Sequence, residues 1–215
     1  MEFPRLLHPF TMVIAGPTNC GKSYFVRDLL QYKHDMFSIV PDKIVWFYGI
    51  YQSLYDEIDD VTFVEALPKN YREYLGENTL FVIDDLMSEC GSDKRLTQLF
   101  TRGSHHLNLS LIFITQNFFH KGKEMREITL NAHYIMLCKN RRGFSQITHL
   151  GRQLYPSHLK YFQEVYEDAT KNPYSYFFID LRNESREELR LRTNILPNQS
   201  QSIYQMKRLS KSINI

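Results

Sequence analysis

Residues 16–23 read GPTNCGKS, two glycines separated by four residues and followed by lysine and serine. An apolar run precedes this segment and an amphipathic helical pattern follows it, which is the context in which such a loop binds phosphate. Glycine lets the backbone wrap an anion without Cβ clashes, and successive N–H groups then face that anion at the start of a helix. The segment therefore predicts a Walker A phosphate-binding loop, and it constrains the chain to an α/β fold.

The residue types in this loop indicate a nucleoside triphosphate with a metal ion. In such loops the lysine reaches the β- and γ-phosphates and the hydroxyl ligates Mg²⁺, roles that fall to Lys22 and Ser23. We expect ATP and Mg²⁺ as cofactors. The predicted nucleotide-binding residues are Gly16, Pro17, Thr18, Asn19, Cys20, Gly21, Lys22, Ser23 and Tyr24.

An acidic pair, Asp84 and Asp85, follows the apolar run LFVI at residues 80–83. This pattern is typical of a Walker B strand, and α/β ligand sites lie at the carboxyl ends of strands. Asp84 is the predicted Mg²⁺ ligand. Asp85 is the predicted catalytic residue that orients the attacking water, although aspartate is one methylene shorter than the glutamate of many hydrolytic motors. The alternative is an acidic pair that caps the next helix.

Another apolar run, LIFIT at residues 111–115, ends at Gln116. A neutral amide there can bond both the γ-phosphate and the attacking water, so we assign Gln116 a catalytic sensor role; glutamine at a strand end can also simply form a turn. The order of these segments fits P-loop ATPases in which an additional strand separates the two Walker strands. The predicted fold is an α/β P-loop NTPase with a mostly parallel sheet flanked by helices, in the additional-strand arrangement.

Apolar runs alternate with helical patterns along the rest of the chain, as in βαβ units. We expect strands at residues 10–15, 43–48, 61–64, 79–83, 110–115, 134–138, 176–181 and 189–195, and helices at residues 22–32, 94–101, 144–154 and 157–169. The alternation LRLRT at residues 189–193 suggests that the last strand is an exposed edge strand. We place one ATPase domain at residues 1–196 and a polar, basic tail at residues 197–215.

The amino-acid composition indicates the class of protein and its cellular compartment. Hydrophobic residues make up 43% and charged residues 23% of the 215 residues, which is typical of a globular domain. The three widely spaced cysteines favour neither a disulfide framework nor a zinc site, and no run is long enough to span a membrane. We expect a soluble, intracellular protein. The net charge of +2 does not by itself indicate a nucleic-acid binder.

Four segments together resemble the viral genome-packaging ATPases of the FtsK–HerA superfamily, most closely those of Polinton (Maverick) elements and related small DNA viruses. The segments are GPTNCGKS (16–23), IDDLM (83–87), GSHHLNLSLIFITQN (103–117) and NAHYIMLCKN (131–140). The likeness extends from residue 9 to residue 195, and residues 103–117 are its most specific part. It implies a ring-shaped homo-oligomer that pumps double-stranded DNA into a preformed capsid. Capsid or portal-vertex proteins would be partners, at an assembly site in the host nucleus or cytoplasm or in the virion.

The resemblance has one departure. Relatives carry an arginine within the segment written here as GSHHLN (103–108), a candidate finger for the neighbouring subunit's ATP. This chain has leucine and two histidines there. The trans finger is therefore Arg102, Arg142 or another residue, or it is missing, and without one the motor would be slow or inactive.

A motor that follows a duplex needs contacts to the phosphate backbone without base readout. Two basic, glycine-containing segments at residues 120–123 and 139–143 are candidates, with Lys121, Lys123, Arg141 and Arg142 as DNA-contacting residues. Both could equally be solvated loops. Two other functions stay open: a small nucleoside or nucleotide kinase, and a scaffold that binds ATP only to assemble. A GTPase switch is disfavoured, because the sequence lacks an NKxD motif.

Overall fold

The computed structural model describes residues 4–84, 86, 94–104, 107–118 and 123–206. Within these ranges the strands are β1 (Thr11–Ala15), β2 (Lys43–Tyr48), β3 (Thr62–Glu65), β4 (Thr79–Asp84), β5 (Leu109–Thr115), β6 (Tyr134–Cys138), β7 (Tyr176–Asp180), β8 (Leu191–Thr193) and β9 (Ser202–Tyr204). The helices are α1 (Lys22–Gln31), α2 (Lys33–Met36), α3 (Lys94–Gln98), α4 (Lys123–Leu130), α5 (Phe144–Leu154) and α6 (Leu159–Ala169). Helix α3 continues directly into a π-helical turn, Leu99–Gly103.

The nine strands of the described ranges form one sheet with the order β3-β2-β4-β5-β1-β6-β7-β8-β9. The pairs from β3 to β6 are parallel, and the pairs from β6 to β9 are antiparallel. Strand β5 lies between β1 and β4, which confirms the additional-strand arrangement. The carboxyl ends of β1, β4, β5 and β6 therefore meet at one edge of the sheet, where α/β proteins bind their ligands.

Alternating residues of the central strands build a core on each face of the sheet. Val13, Phe81 and Phe113 pack with the buried side chains of α3, α4, α5 and α6. Their chain neighbours Met12 and Val82 point to the other face, which α1 and α2 cover. The result is a three-layer α/β/α domain, as expected for a parallel sheet. Among the described helices, none combines the length and the apolar character needed to cross a bilayer.

One predicted loop is partly helical. We placed Lys123 in a basic loop at residues 120–123, but it is the first residue of α4. Met125 and Ile128 of this helix are buried in the core, and this spacing of three is what a short amphipathic helix needs. The two apolar positions lie among charged residues, and the local pattern was too weak to reveal the helix.

The predicted exposed edge strand is wrong. Strand β8 pairs with β7 on one side and with β9 on the other, so β9 is the outermost strand. Arg192 in β8 is only 2% exposed, and its guanidinium lies 3.4 Å from the carboxylate of Asp180, which is also buried. The alternating arginine thus marks a buried ion pair rather than a solvated face. The boundary at residue 196 stays a prediction, but Ser202–Tyr204 join the sheet and are not a free tail; residues 207–215 lie outside the described ranges.

Candidate nucleotide site

The loop between β1 and α1 has the backbone shape that its glycines predict. The N–H of Gly16 donates to the carbonyl of Thr115 at the end of β5 (3.2 Å), which joins the start of the loop to the sheet. Asn19 and Gly21 both have positive φ, 61° and 96°, and Gly21 directly precedes α1. This left-handed turn aims the first N–H groups of the helix into the loop, so the segment can bind an anion.

The ammonium group of Lys22 lies across this loop. Its Nζ donates to the carbonyls of Gly16 (2.8 Å) and Pro17 (2.9 Å). Its third partner is the Cys20 sulfur at 3.9 Å, a weak acceptor that a bound phosphate oxygen can replace. The predicted role of Lys22 is consistent with this position.

The two Walker motifs meet through their polar side chains. The Ser23 hydroxyl donates to the Asp84 carboxylate at 3.0 Å, although the two residues are 61 positions apart. Asp84 is 4% exposed at the last position of β4. Mg²⁺ in nucleotide sites typically takes one or two protein oxygens together with phosphate oxygens and waters. A hydroxyl and a carboxylate in contact beside a phosphate loop fit that requirement, so Ser23 and Asp84 would hold the ion.

Tyr55 is a member of this site that the sequence did not reveal. Its hydroxyl donates to the same Asp84 oxygen at 3.3 Å. Burial and the neighbouring Asp84 carboxylate raise the pKa of Tyr55 well above its usual value, so the phenol stays protonated and remains a donor. Tyr55 lies in the 3₁₀ segment Ser53–Glu57, and its ring stacks on Phe63. Only this tertiary packing brings it to the strand end.

Gln116 and Asn117 follow β5 at the same edge. The register pairs Ala15 with Thr115, so Gln116 comes directly after a residue that lies beside the start of the phosphate loop, and it is exposed. Asn117 accepts a 2.6 Å hydrogen bond from the side-chain amide of Gln146 in α5. This placement is compatible with the sensor role, and it joins the sensor segment to the helix that follows β6.

The basic segment after β6 lies at the same edge of the sheet, and hydrogen bonds to Asn140 define its conformation. The side-chain oxygen of Asn140 accepts from the N–H groups of Arg142 (3.1 Å) and Gly143 (3.0 Å). The backbone N–H of Asn140 donates to the Tyr166 hydroxyl (2.9 Å). These three hydrogen bonds organise the loop around Asn140. Arg141 and Arg142 are both exposed.

Several predicted residues fall outside what the structure describes. Asp85 and Lys121 lie in the undescribed positions, and Arg102 and Lys123 are described only in their backbone, within the π-helical turn and α4. Their roles as catalytic base, DNA contacts and trans finger stay predictions.

A groove with a cavity volume of about 670 Å³ lies beside the phosphate loop. Two exposed tyrosines, Tyr24 (55% exposed) and Tyr174 (75% exposed), line it together with Gln199. Gln199 uses its side-chain oxygen to accept from Tyr176 (2.9 Å), which leaves its amide donors for other partners. Aromatic faces stack with nucleobases, so this groove can accept the base of a nucleotide. Of the two tyrosines, only Tyr24 was predicted from the sequence, because its position is fixed relative to the loop.

The sequence matches no protein-family model, and it matches no curated protein. Solved structures with a similar fold include B204, the DNA-packaging ATPase from Sulfolobus turreted icosahedral virus, with a TM-score of 0.53, 13% identity and coverage of 92% of this chain and 98% of B204. The genome-packaging NTPase B204 from Sulfolobus turreted icosahedral virus 2 in complex with AMPPCP has a TM-score of 0.50 and 15% identity, covering 92% and 97%. The cytoplasmic domain of the type VII secretion ATPase EccC from Thermomonospora curvata has a TM-score of 0.54 and 13% identity, covering 82% of this chain and 24% of EccC.

At these identities the likeness establishes the fold, and this chain has the α/β P-loop NTPase fold with an additional strand between its two Walker strands.

Proposed function

We propose that this protein is an ATP-hydrolysing motor that translocates double-stranded DNA and packages a viral genome into a capsid. The contact between Ser23 and Asp84 is the observation that carries the ATPase part, because it unites the two Walker motifs across an intervening strand. The resemblance of four segments to packaging ATPases of the FtsK–HerA superfamily supports the DNA part, as does the fold shared with B204.

The chain's own residues would divide the chemistry among them. The loop amides and Lys22 bind the triphosphate and stabilise the charge that develops on its oxygens, which dominates catalysis of phosphoryl transfer. Ser23 and Asp84 would hold Mg²⁺, which would neutralise further charge on the phosphates. Asp85 orients the attacking water, and Gln116 bonds the water and the terminal phosphate.

DNA binding and assembly complete the proposal. Arg141 and Arg142 are exposed beside the nucleotide edge, and Lys121 and Lys123 are the further candidates for contacts to the DNA backbone. The motor would be a homo-oligomeric ring with an arginine crossing between subunits, Arg102 or Arg142, and it would dock on capsid or portal-vertex proteins at the viral assembly site.

ATP turnover measured with and without duplex DNA tests the proposal. We expect hydrolysis that duplex DNA stimulates and that Lys22→Ala abolishes. Lys160→Ala is the matched control, because Lys160 is a 90% exposed lysine on α6, and it should hydrolyse ATP as the wild type does. Stimulation by a free nucleoside instead of DNA would favour the kinase. ATP binding with assembly but without turnover would favour the scaffold.

Subunit mixing tests the trans finger. Lys22→Ala has an inactive nucleotide site but keeps the arginine finger. Arg102→Ala keeps the nucleotide site but lacks the finger. Each should be inactive alone, since a finger contributes about 10³- to 10⁵-fold in rate, and the mixture should recover part of the turnover. An Arg102→Ala protein that is fully active alone excludes Arg102, and the same experiment then applies to Arg142.

A further inference from the structure

Two thiols meet under the phosphate loop. Cys20 lies within the loop and is partly exposed, and Cys138 is the buried last residue of β6. Both are free cysteines. A Cβ placed on Gly16 would lie 2.7 Å from the Cys20 sulfur and 3.3 Å from the Cys138 sulfur. The two sulfurs therefore flank a single point, the space that Gly16 leaves open by having no side chain.

We propose that Cys20 and Cys138 form a reversible disulfide that switches the nucleotide site off under oxidising conditions. The inhibitory effect rests on the proposed ATPase function, whereas formation of the disulfide does not. Cys138 belongs to the rigid sheet, and Cys20 belongs to the segment whose N–H groups must face a phosphate.

The two cysteines differ in chemical character, which assigns their roles. A hydrogen bond from the Cys138 thiol, supported by the charge of Lys22, lowers the pKa of Cys20. The Lys22 ammonium is 3.9 Å from the Cys20 sulfur. The hydrogen bond to Cys20 and burial raise the pKa of Cys138. Thiolates rather than thiols react with oxidants. Cys20 is therefore the residue that reacts with the oxidant, and Cys138 then forms the disulfide with the oxidised Cys20.

Hydrogen peroxide is a sufficient oxidant, and the steps balance. The Cys20 thiolate attacks one peroxide oxygen, the O–O bond breaks, and the protonated leaving group departs as water, which leaves a sulfenic acid on Cys20. The Cys138 sulfur then attacks the Cys20 sulfur. The S–O bond breaks as the S–S bond forms, and the hydroxyl leaves as water with the Cys138 proton. Two thiols and one peroxide thus give one disulfide and two waters, and dithiothreitol reverses the change.

The disulfide should impair nucleotide binding through geometry. A disulfide requires the two sulfurs to approach to about 2.05 Å with a defined torsion, which draws Cys20 towards β6. The backbone of the neighbouring Gly21 and Lys22 must shift with it. The shift removes hydrogen bonds that the loop amides would donate to a charged phosphate, and such bonds are strong enough that losing one or two of them should lower ATP affinity by about 10²-fold.

The test uses the full chain, reduced and then treated with hydrogen peroxide. Remaining thiols are blocked with N-ethylmaleimide, disulfide-linked peptides are mapped by mass spectrometry, and binding of a fluorescent ATP analogue is measured before oxidation, after it, and after dithiothreitol. We expect a Cys20–Cys138 cross-link in the wild type, an affinity loss of about 10²-fold, and full recovery. Cys90→Ala, which removes the third cysteine, should behave identically.

Cys138→Ala should give no internal cross-link, and a dimedone probe should trap its Cys20 as the sulfenic acid. Consumption of thiols in the wild type without this cross-link overturns the proposal, and that measurement does not depend on any variant folding. A cross-linked protein that binds the analogue as well as the reduced one overturns the switch. A reduced wild type that does not bind the analogue refutes the proposed ATPase function instead, and the cross-link is still read separately.

Discussion

The hydroxyl of Tyr55 offers a sharp test of how Asp84, the proposed Mg²⁺ ligand, is held in position. Tyr55→Phe keeps the ring, which stacks on Phe63, and removes only the hydroxyl that donates to Asp84. Asp84 would keep its bond from Ser23 at 3.0 Å. We expect weaker binding of Mg²⁺, because groups that orient a metal ligand typically contribute 10- to 100-fold to metal affinity.

The geometry places the effect at the lower end of that range. The bond is 3.3 Å long, longer than the ~2.7 Å that is common between hydroxyls and oxygen acceptors. Hydrogen bonds to charged groups contribute about 1.5–3 kcal/mol, and a long one contributes about 1.5 kcal/mol. That energy corresponds to about a tenfold change in affinity. The Mg²⁺ concentration for half-maximal ATP hydrolysis should therefore rise about tenfold, with little change at saturating Mg²⁺.

Tyr51→Phe is the matched control. Tyr51 belongs to the same aromatic cluster, with its ring 5.4 Å from that of Tyr55, but it is half exposed and its hydroxyl donates to Asp56. This variant should require the same Mg²⁺ concentration as the wild type. Equal Mg²⁺ requirements for Tyr55→Phe and the wild type would refute the argument that Tyr55 positions Asp84.

Three further changes address the loop, the sheet and the DNA contacts. Gly16→Ala places a Cβ 2.6 Å from that of Cys138, and since overpacking costs about 1–3 kcal/mol, ATP-analogue affinity should fall; unchanged affinity would show that the loop can shift freely. Asp180→Asn leaves Arg192 as an unpaired buried cation, and urea denaturation should show a loss of about 3–5 kcal/mol in unfolding free energy, whereas a loss below about 1 kcal/mol would mean that the pair is solvated. Neutralising both arginines at positions 141–142 should reduce the slope of log affinity for duplex DNA against log salt by up to about two units, and an unchanged slope would remove this segment from the DNA interface.

The parts of the fold that are encoded locally could be predicted from the sequence. The bounds of β2 and β6 match the predicted ranges at residues 43–48 and 134–138, because continuous apolar runs flanked by polar residues reveal buried parallel strands. The phosphate loop was predictable because eight consecutive residues carry its chemistry. The place of β5 between the Walker strands followed from the order of the motifs along the chain.

The missed features depend on contacts between residues distant in sequence. Nothing near Tyr55 indicates that its 3₁₀ segment packs against the end of β4. The arginine in LRLRT has the pattern of an exposed strand, and its burial is compensated by the carboxylate of Asp180 and the ring of Phe178, both on the neighbouring strand. The pairing of Cys20 with Cys138 likewise arises from the adjacency of β1 and β6, which no spacing of cysteines in the sequence conveys.

The central position of β1 has a consequence for how the protein matures during synthesis. This strand is synthesised before both of its neighbours in the sheet, β5 and β6, whose Leu111 and Tyr134 pair with it on its two sides. Such long-range parallel pairing makes folding slow, because the chain loses the entropy of closing a long loop before the stabilising contacts between strands can form. The phosphate loop follows β1 and is flanked by the ends of β5 and β6. In a nascent chain that ends before β6, one side of the loop therefore lacks its packing partner. A nucleotide that binds this loop would therefore stabilise the folded state only after β6 has been translated, and earlier intermediates must protect the apolar edges of β1 without it.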